Sequence, residues 1–356
     1  DGVLTARGDT GGGGQGTNGG RIEIIASAGS VDVGTIDVRG GNGSGAGSGG
    51  VGGAVRIEAK DGGAGDLTLA STIDARGGIG GDGSERSGGS VELRSDRHLV
   101  IASPGVLVSA DELLVKAGGG VASSGTPLSL RVNRADLSAS GMLYVEDVAN
   151  GLVLFDLDSD GRAVEAAGGS IAARSPLTIA SDVLLGGSFS FIAGNSTTAG
   201  DDLSIVDGAT IELITSGGSA SLLFQAGDDL LIVDGRIITS GGNHLVKLVA
   251  DAESDLGVTD GDGGRLTQGI DGATVIRTQR LTLDAPLGIG QANRILTFEA
   301  DELSSFSQRG DGDQFLRDVS GDLAVARIDA GSGSVLLGTT GSLLDPSAAD
   351  GVANVT

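Results

Sequence analysis

The chain has 356 residues, 67 of them Gly, with 2% aromatics and no Trp or Cys, which excludes a core built on large rings and a disulfide framework. A formal charge of −24 argues against a nucleic-acid backbone as partner. Aliphatic residues and Ala still bring the hydrophobic share to 39%, too much for a disordered linker, so the expected core is aliphatic and thin.

The chain opens on Asp1-Gly2-Val3, without a start Met or signal peptide, and reads as a mature portion or excised fragment. No stretch approaches the roughly 18 apolar residues of a membrane span, so no transmembrane segment is expected. Three copies of one strand follow: Leu4-Thr5-Ala6-Arg7-Gly8, Ile36-Asp37-Val38-Arg39-Gly40 and Ile73-Asp74-Ala75-Arg76-Gly77. Each leads into a Gly-rich run, residues 8–20, 40–53 and 77–89. These runs read as flexible loops protruding from one edge, with close packing of bare backbone into a self-association surface as the alternative.

After the runs come Arg21-Ile22-Glu23-Ile24, Val55-Arg56-Ile57-Glu58 and Val91-Glu92-Leu93-Arg94. Period-two alternation puts Ile22, Ile24, Val55, Ile57, Val91 and Leu93 on a core face and Glu23, Arg56, Glu58 and Glu92 on a wet one. Val31-Asp32-Val33 and Leu67-Thr68-Leu69 are further short strands.

Phe155-Asp156-Leu157-Asp158-Ser159-Asp160-Gly161 carries the Asp-x-Asp-x-Asp-Gly spacing that sets three carboxylates around a hard cation. Ala167 stands where an EF-hand needs its bidentate Glu. Two readings stay open at Asp156, Asp158 and Asp160: a Ca²⁺ site, or a solvated Asp-rich turn.

Gly200-Asp201-Asp202-Leu203-Ser204-Ile205-Val206-Asp207-Gly208 returns 27 residues on as Gly227-Asp228-Asp229-Leu230-Leu231-Ile232-Val233-Asp234-Gly235. Stacked on adjacent coils, Asp201 and Asp202 would bring like charges near Asp228 and Asp229, which requires neutralising cations or backbone donors. Thr215-Ser216-Gly217-Gly218 recurs as Thr239-Ser240-Gly241-Gly242, and Asp260-Gly261-Asp262 and Asp311-Gly312-Asp313 read as further acidic turns. Leu281-Thr282-Leu283, Leu296-Thr297-Phe298, Leu323-Ala324-Val325 and Val335-Leu336-Leu337 continue the strands.

Short strands in repeats of 20 to 40 residues, with variable corners and no helical periodicity, predict an all-β fold. The expected form is a right-handed parallel β-helix of roughly sixteen coils, about 22 residues each, open at both ends. One continuous solenoid over 1–356 is expected, with a Gly-rich section (1–140), transitional coils holding the Asp-rich loop (141–199) and shorter acidic-corner coils (200–356). Neither end carries an obvious cap, so the native protein is expected to continue beyond both.

This texture, in coils such as Leu283-Asp284-Ala285-Pro286-Leu287-Gly288-Ile289-Gly290 and Gly331-Ser332-Gly333-Ser334-Val335-Leu336-Leu337, resembles the filamentous-haemagglutinin-like group of large bacterial exoproteins, giant repetitive adhesins among them. The resemblance implies a secreted or cell-surface bacterial shaft serving adhesion, aggregation or matrix formation, and supplies no catalytic residues.

The expected function is therefore a non-enzymatic structural or adhesive segment. It requires no cofactor, and Ca²⁺ is the one ion for which the sequence offers a candidate site. Its partners are neighbouring coils of the same longer chain, further copies in filaments, and a cell-surface glycan or protein receptor. Two alternatives stand beside it: a polysaccharide-active β-helix enzyme, for which one Tyr (Tyr144), no Trp and three lysines (Lys60, Lys116 and Lys247) are a poor endowment, and a calcium-stiffened spacer. Arg7-Gly8-Asp9 and Arg309-Gly310-Asp311 spell a receptor-read tripeptide that needs an extended exposed loop, and otherwise mark strand-to-turn junctions. His98 and His244 are too far apart in sequence to suggest a site, and read as exposed polar residues.

Overall fold

A computed structural model describes residues 2–149, 151–174, 176–194, 200–251, 264–269, 275–346 and 355. Its strands pair in parallel, each with the equivalent strand one coil away rather than with its chain neighbour, which is the pairing of a parallel β-helix. Two compact units are present, Asp1–Ile171 and Ala172–Thr356.

In the first unit, one ladder runs through Arg21–Ala26, Ala54–Ala59, Ser90–Ser95, Glu112–Ala117 and Arg134–Ala139. Alternation determines which residues stack. Val55, Val91, Leu113 and Ala135 lie in register in one buried column, and Ile57, Leu93, Val115 and Leu137 in the next. Each fully buried aliphatic side chain contributes about 1.5 to 3 kcal/mol, and repetition makes a thin core sufficient. Ile22 and Ile24 are only half-buried, because the coil that carries them is covered on one side alone.

The outward residues of this ladder set opposite charges side by side at several places, with one like-charge neighbour. Arg56 lies in register between Glu23 and Glu92, at 3.6 and 3.7 Å, and Arg94 between Glu58 and Lys116. Lys60 adds a 2.8 Å pair to Glu58, whose carboxyl it holds below the usual range against the opposing effect of burial. Arg94 and Lys116 are the like pair in register, and each has carboxylates elsewhere, Arg94 at Glu92 and Lys116 at Asp158 and Asp160.

The Gly-rich runs are packed rather than flexible. Each goes out and returns against itself and against the runs of neighbouring coils through backbone hydrogen bonds. Partners repeat every third residue: Gly8 and Gly11 donate to Arg39 and Asn42, Gly40 and Gly43 to Arg76 and Ile79, and Gly16 and Gly19 to Ser48 and Val51. Gly50 and Gly53 turn inward, to Gly41 and Val38. Three residues per turn is the period of the polyproline-II helix, whose backbone groups point outward and here find other backbones instead of water. Side chains would prevent this approach: a Cβ on Gly89 would lie 1.6 Å from the Gly53 carbonyl oxygen. Gly12, at a turn, has nothing within 4 Å of such an atom.

Ser90 faces Glu112, 22 residues on, whereas Arg21 faces Ala54 across 33. Coils shorten where the Gly-rich run is absent.

The second unit uses three strands per coil. Leu203–Ile205 pairs with Leu230–Ile232, Thr210–Ile214 with Arg236–Ser240, and Ser221–Gln225 with Leu245–Val249. The 27-residue repeat is thus a true register, with Leu203 opposite Leu230. The Thr-Ser-Gly-Gly repeat is not: Thr239 faces Leu213, not Thr215. The offset falls to 24 only after the turn, where Ser221 meets Leu245, so the corner absorbs two residues. Rings also enter this core, as Phe191 stacks on Phe224 at 5.2 Å, with Phe189 beside it.

Candidate cation site in an inserted acidic loop

Arg134–Ala139 is paired on one side by two short strands in succession, Leu152–Leu154 and Arg162–Ala166. Ala135 faces Leu154, while Leu137 faces Val164. Residues 155–161 are the excess, an excursion opening opposite Asp136.

Asp136 points outward between two core residues, yet it is only 2% exposed because the excursion closes over it. The loop is built by its own carboxylates. Asp156 accepts the backbone N–H groups of Ser159 (2.7 Å) and Gly161 (2.8 Å), and Asp160 accepts that of Arg162. Asp136 Oδ2 accepts the Leu157 N–H at 2.9 Å, which fixes the loop to the strand beneath. Ser159 and Gly161 adopt left-handed backbone angles, φ 65° and 92°, and the second is a natural position for Gly. Arg134 covers one flank, its guanidinium 5.3 Å from the Phe155 ring centre.

Ligand oxygens of Asp136, Asp156 and Asp158 lie within 4.8 Å of one another, a spacing that one Ca²⁺ with 2.3 to 2.6 Å bonds can bridge. Two of the three residues are those the Asp-x-Asp-x-Asp-Gly pattern singles out. Asp160 turns instead to Lys116, whose ammonium contacts both Asp158 and Asp160, the latter at 2.9 Å. The structure therefore provides one cation of its own at this cluster.

The electrostatics follow from burial. Loss of water raises the Asp136 pKa to about 7, with the charges of Asp158 and Asp160 adding to the rise and the Leu157 N–H and Lys116 opposing it. Burial disfavours the charge on Lys116, but its bonds to Asp158 and Asp160 outweigh this and raise its pKa. Lys116 in turn holds Asp160 below the usual carboxylate range.

Sequence reasoning misses Asp136 because it lies 20 residues before Asp156, and only the coil register brings them together. A carboxylate between the core residues Ala135 and Leu137, on the strand next to an acidic insertion, is the available signal.

The corner acids Asp201, Asp202, Asp228 and Asp229 are placed differently. Asp228 Oδ2 accepts the N–H groups of Gly200 (2.6 Å) and Asp201 (2.9 Å), both from the adjacent coil. Asp202 accepts the Asp229 N–H, and Asp229 that of Arg265. Backbone donors thus provide neutralisation for this stack. Burial, with neighbouring acids adding to it, still raises the Asp202 pKa against the Asp229 N–H. The same device recurs at Asp311 and Asp313, which accept the N–H groups of Ser332 and Ser334. Asp260-Gly261-Asp262 lies outside the described residues.

Neither Arg-Gly-Asp tripeptide is an extended exposed loop. Gly8 is buried in the glycine block, and Arg309 and Gly310 belong to a single 3-10 turn, Gln308–Gly310. His244 is fully buried rather than exposed: Nδ1 accepts the Ala220 N–H at 3.1 Å, and Nε2 lies 3.0 Å from the Ser240 carbonyl. His98 is half-buried, and its Nδ1 accepts the Gly120 N–H. Both rings tie one coil to another.

Among the described residues no helix is long and apolar enough to cross a membrane. No family model, curated protein or solved structure matches the chain, and what the structure supports is an all-β architecture of long parallel sheets.

Proposed function

We propose that the chain is a non-enzymatic shaft segment of a large secreted or cell-surface bacterial protein, supplying stiffness and surface for adhesion, aggregation or filament assembly. The observation that carries this reading is the glycine block. Runs that would be the slack part of a secreted repeat are instead tied coil to coil by backbone hydrogen bonds. A segment hydrogen-bonded along its stacking direction, down to its excursions, resists extension without a large core.

Force spectroscopy on tandem copies tests it. Shaft function requires stepwise unfolding with no soft early extension from residues 8–89, and an early compliant phase of that length would overturn it. Incubation with acidic polysaccharides tests the enzymatic alternative, which requires new chain ends or unsaturated products. The cluster of Asp136, Asp156 and Asp158 favours a second reading, in which Ca²⁺ reinforces the shaft at the inserted loop. Superimposable melting curves in Ca²⁺ and in chelator would remove it.

A further inference from the structure

The glycine block ends abruptly. Three successive coils carry Gly-rich runs, but the next passes from strand Leu107–Ser109 to strand Glu112–Ala117 through Ala110 and Asp111 alone. Asp111 donates its N–H to Gly89 and accepts those of Asn133 and Arg134, so the short corners stack directly beneath the last long one. The step between them is a cleft of about 470 Å³.

Three guanidiniums line the cleft, from two coils: Arg76 at the foot of the last run, Arg86 on its returning arm, and Arg131 on the short corners. Arg76 is fixed by Asp74, which accepts from Nε (3.0 Å) and Nη2 (2.8 Å), leaving Nη1 outside the pair. Arg86 and Arg131 are exposed and form no ion pair within 4 Å among the described residues, although Asp82 lies in the field of Arg86. Against these three cations stand Glu85 and Asp111, and Asn133 donates to the latter. With Asp74 counted, the carboxylates equal the guanidiniums in number, but Asp74 is taken up by Arg76 and Asp111 by Asn133, which leaves Arg86 and Arg131 as the guanidiniums not held in an ion pair. No aromatic ring lines the cleft, and the rest of its wall is Ser87, Gly88, Asn133 and the small apolar residues Ala110, Val132 and Ala149, of which Ala110 and Val132 are buried.

We infer that this step is a binding site for a short acidic saccharide, with Arg86 and Arg131 receiving a uronate carboxylate while Asn133, Glu85 and Asp111 take ring hydroxyls. Guanidinium forks match carboxylate geometry, and mixed donors and acceptors suit a polyhydroxylated ligand. An acidic peptide would share the carboxylate but offers no ring hydroxyls to Asn133, Glu85 and Asp111, and the carboxylates of the last two would oppose its further acids. The volume is within the range of small-ligand sites. The inference goes beyond the shaft reading, because stiffness needs no ligand, and the two fail separately.

Calorimetric titration of the full chain with trigalacturonate at low salt is the test. Binding is expected, weakened about tenfold by Arg131→Ala and by Arg86→Ala, since charged hydrogen bonds of this kind typically contribute that much. Arg131→Gln, which keeps most of the side chain's length, should lose the same affinity with an unchanged melting temperature. Arg97→Ala, on an exposed arginine outside the cleft, should leave binding intact. The site is refuted by no heat at millimolar ligand, by equal binding of the neutral trisaccharide or of triglutamate, or by Arg86 and Arg131 variants that bind as the parent does.

Discussion

Two excursions leave the first unit's coils, and they are held by opposite means. The glycine block, residues 8–20, 40–53 and 77–89, is a lattice of mainly backbone hydrogen bonds whose close approaches leave no room for a Cβ at positions such as Gly89. The inserted loop, residues 155–161, is held by carboxylates that accept backbone N–H groups, over a buried Asp136 and beside the Lys116 ammonium. One excursion depends on the absence of atoms, the other on charge. Steric insult should damage the first at any pH, whereas the second should respond to protons, cations and salt.

The largest effect is expected at Gly89. A Cβ 1.6 Å from the Gly53 carbonyl oxygen meets backbone that cannot step aside, so Gly89→Ala should cost at least about 3 kcal/mol, more than ordinary overpacking. Gly12→Ala, with open space around it, should stay within about 0.5 kcal/mol. Chemical denaturation of the two variants checks this, and similar midpoints would mean that the runs are not packed as described.

The next effect belongs to Asp136. Its pKa is raised by burial from 3.8 to about 7, so between those values the folded state holds a proton that the unfolded state has released. Stability should therefore fall as pH rises from about 4 to about 7, by something on the order of 2 to 3 kcal/mol once the loop's own relaxation is allowed for. Asp136→Asn, which keeps an acceptor for the Leu157 N–H, should flatten that slope and be more stable than the parent at pH 8. Parallel pH profiles of parent and variant would show that the charge is not buried.

These two regions were unequally legible in the sequence. Alternation in Val55-Arg56-Ile57-Glu58 and its copies marks strand, core face and wet face, because a two-residue period has one physical meaning in a half-buried sheet. The Gly-rich runs give no such signal, since glycine reads alike whether it is slack or packed. Their three-residue periodicity lies in which neighbour each N–H meets, and that appears only when runs from different coils are side by side. Asp156 and Asp158 are visible as a motif, but Asp136 becomes their companion only through register. At Asp228 the expected like-charge conflict is relieved by donors that carry no side-chain signature, the N–H groups of Gly200 and Asp201.

A smaller effect concerns Ca²⁺. Addition at pH 8 should raise the melting temperature, by about 1.4 kcal/mol of stability at tenfold excess over Kd, and the gain should shrink at pH 5, where Asp136 keeps its proton. Lys116→Met removes the competing ammonium from Asp158 and Asp160, so it should destabilise the chelated protein yet enlarge the Ca²⁺ response. An unchanged response in Lys116→Met would separate the lysine from the cation.

The smallest effect is expected on the regular outer face, where charge is abundant but holds nothing in place. Arg56 is 34% exposed and shares Glu23, Glu58 and Glu92 at 3.1 to 3.7 Å. Each pair lies at the water boundary, and the strand beneath is already held by ladder hydrogen bonds and by the Val55 and Ile57 columns. Arg56→Gln should therefore cost under about 1 kcal/mol, and less in 1 M salt than in 0.1 M, because screening also relieves the three glutamates left behind. A cost as large as that of losing the Asp136 seat would mean that ladder charges, rather than backbone register and aliphatic columns, fix how one coil sits on the next.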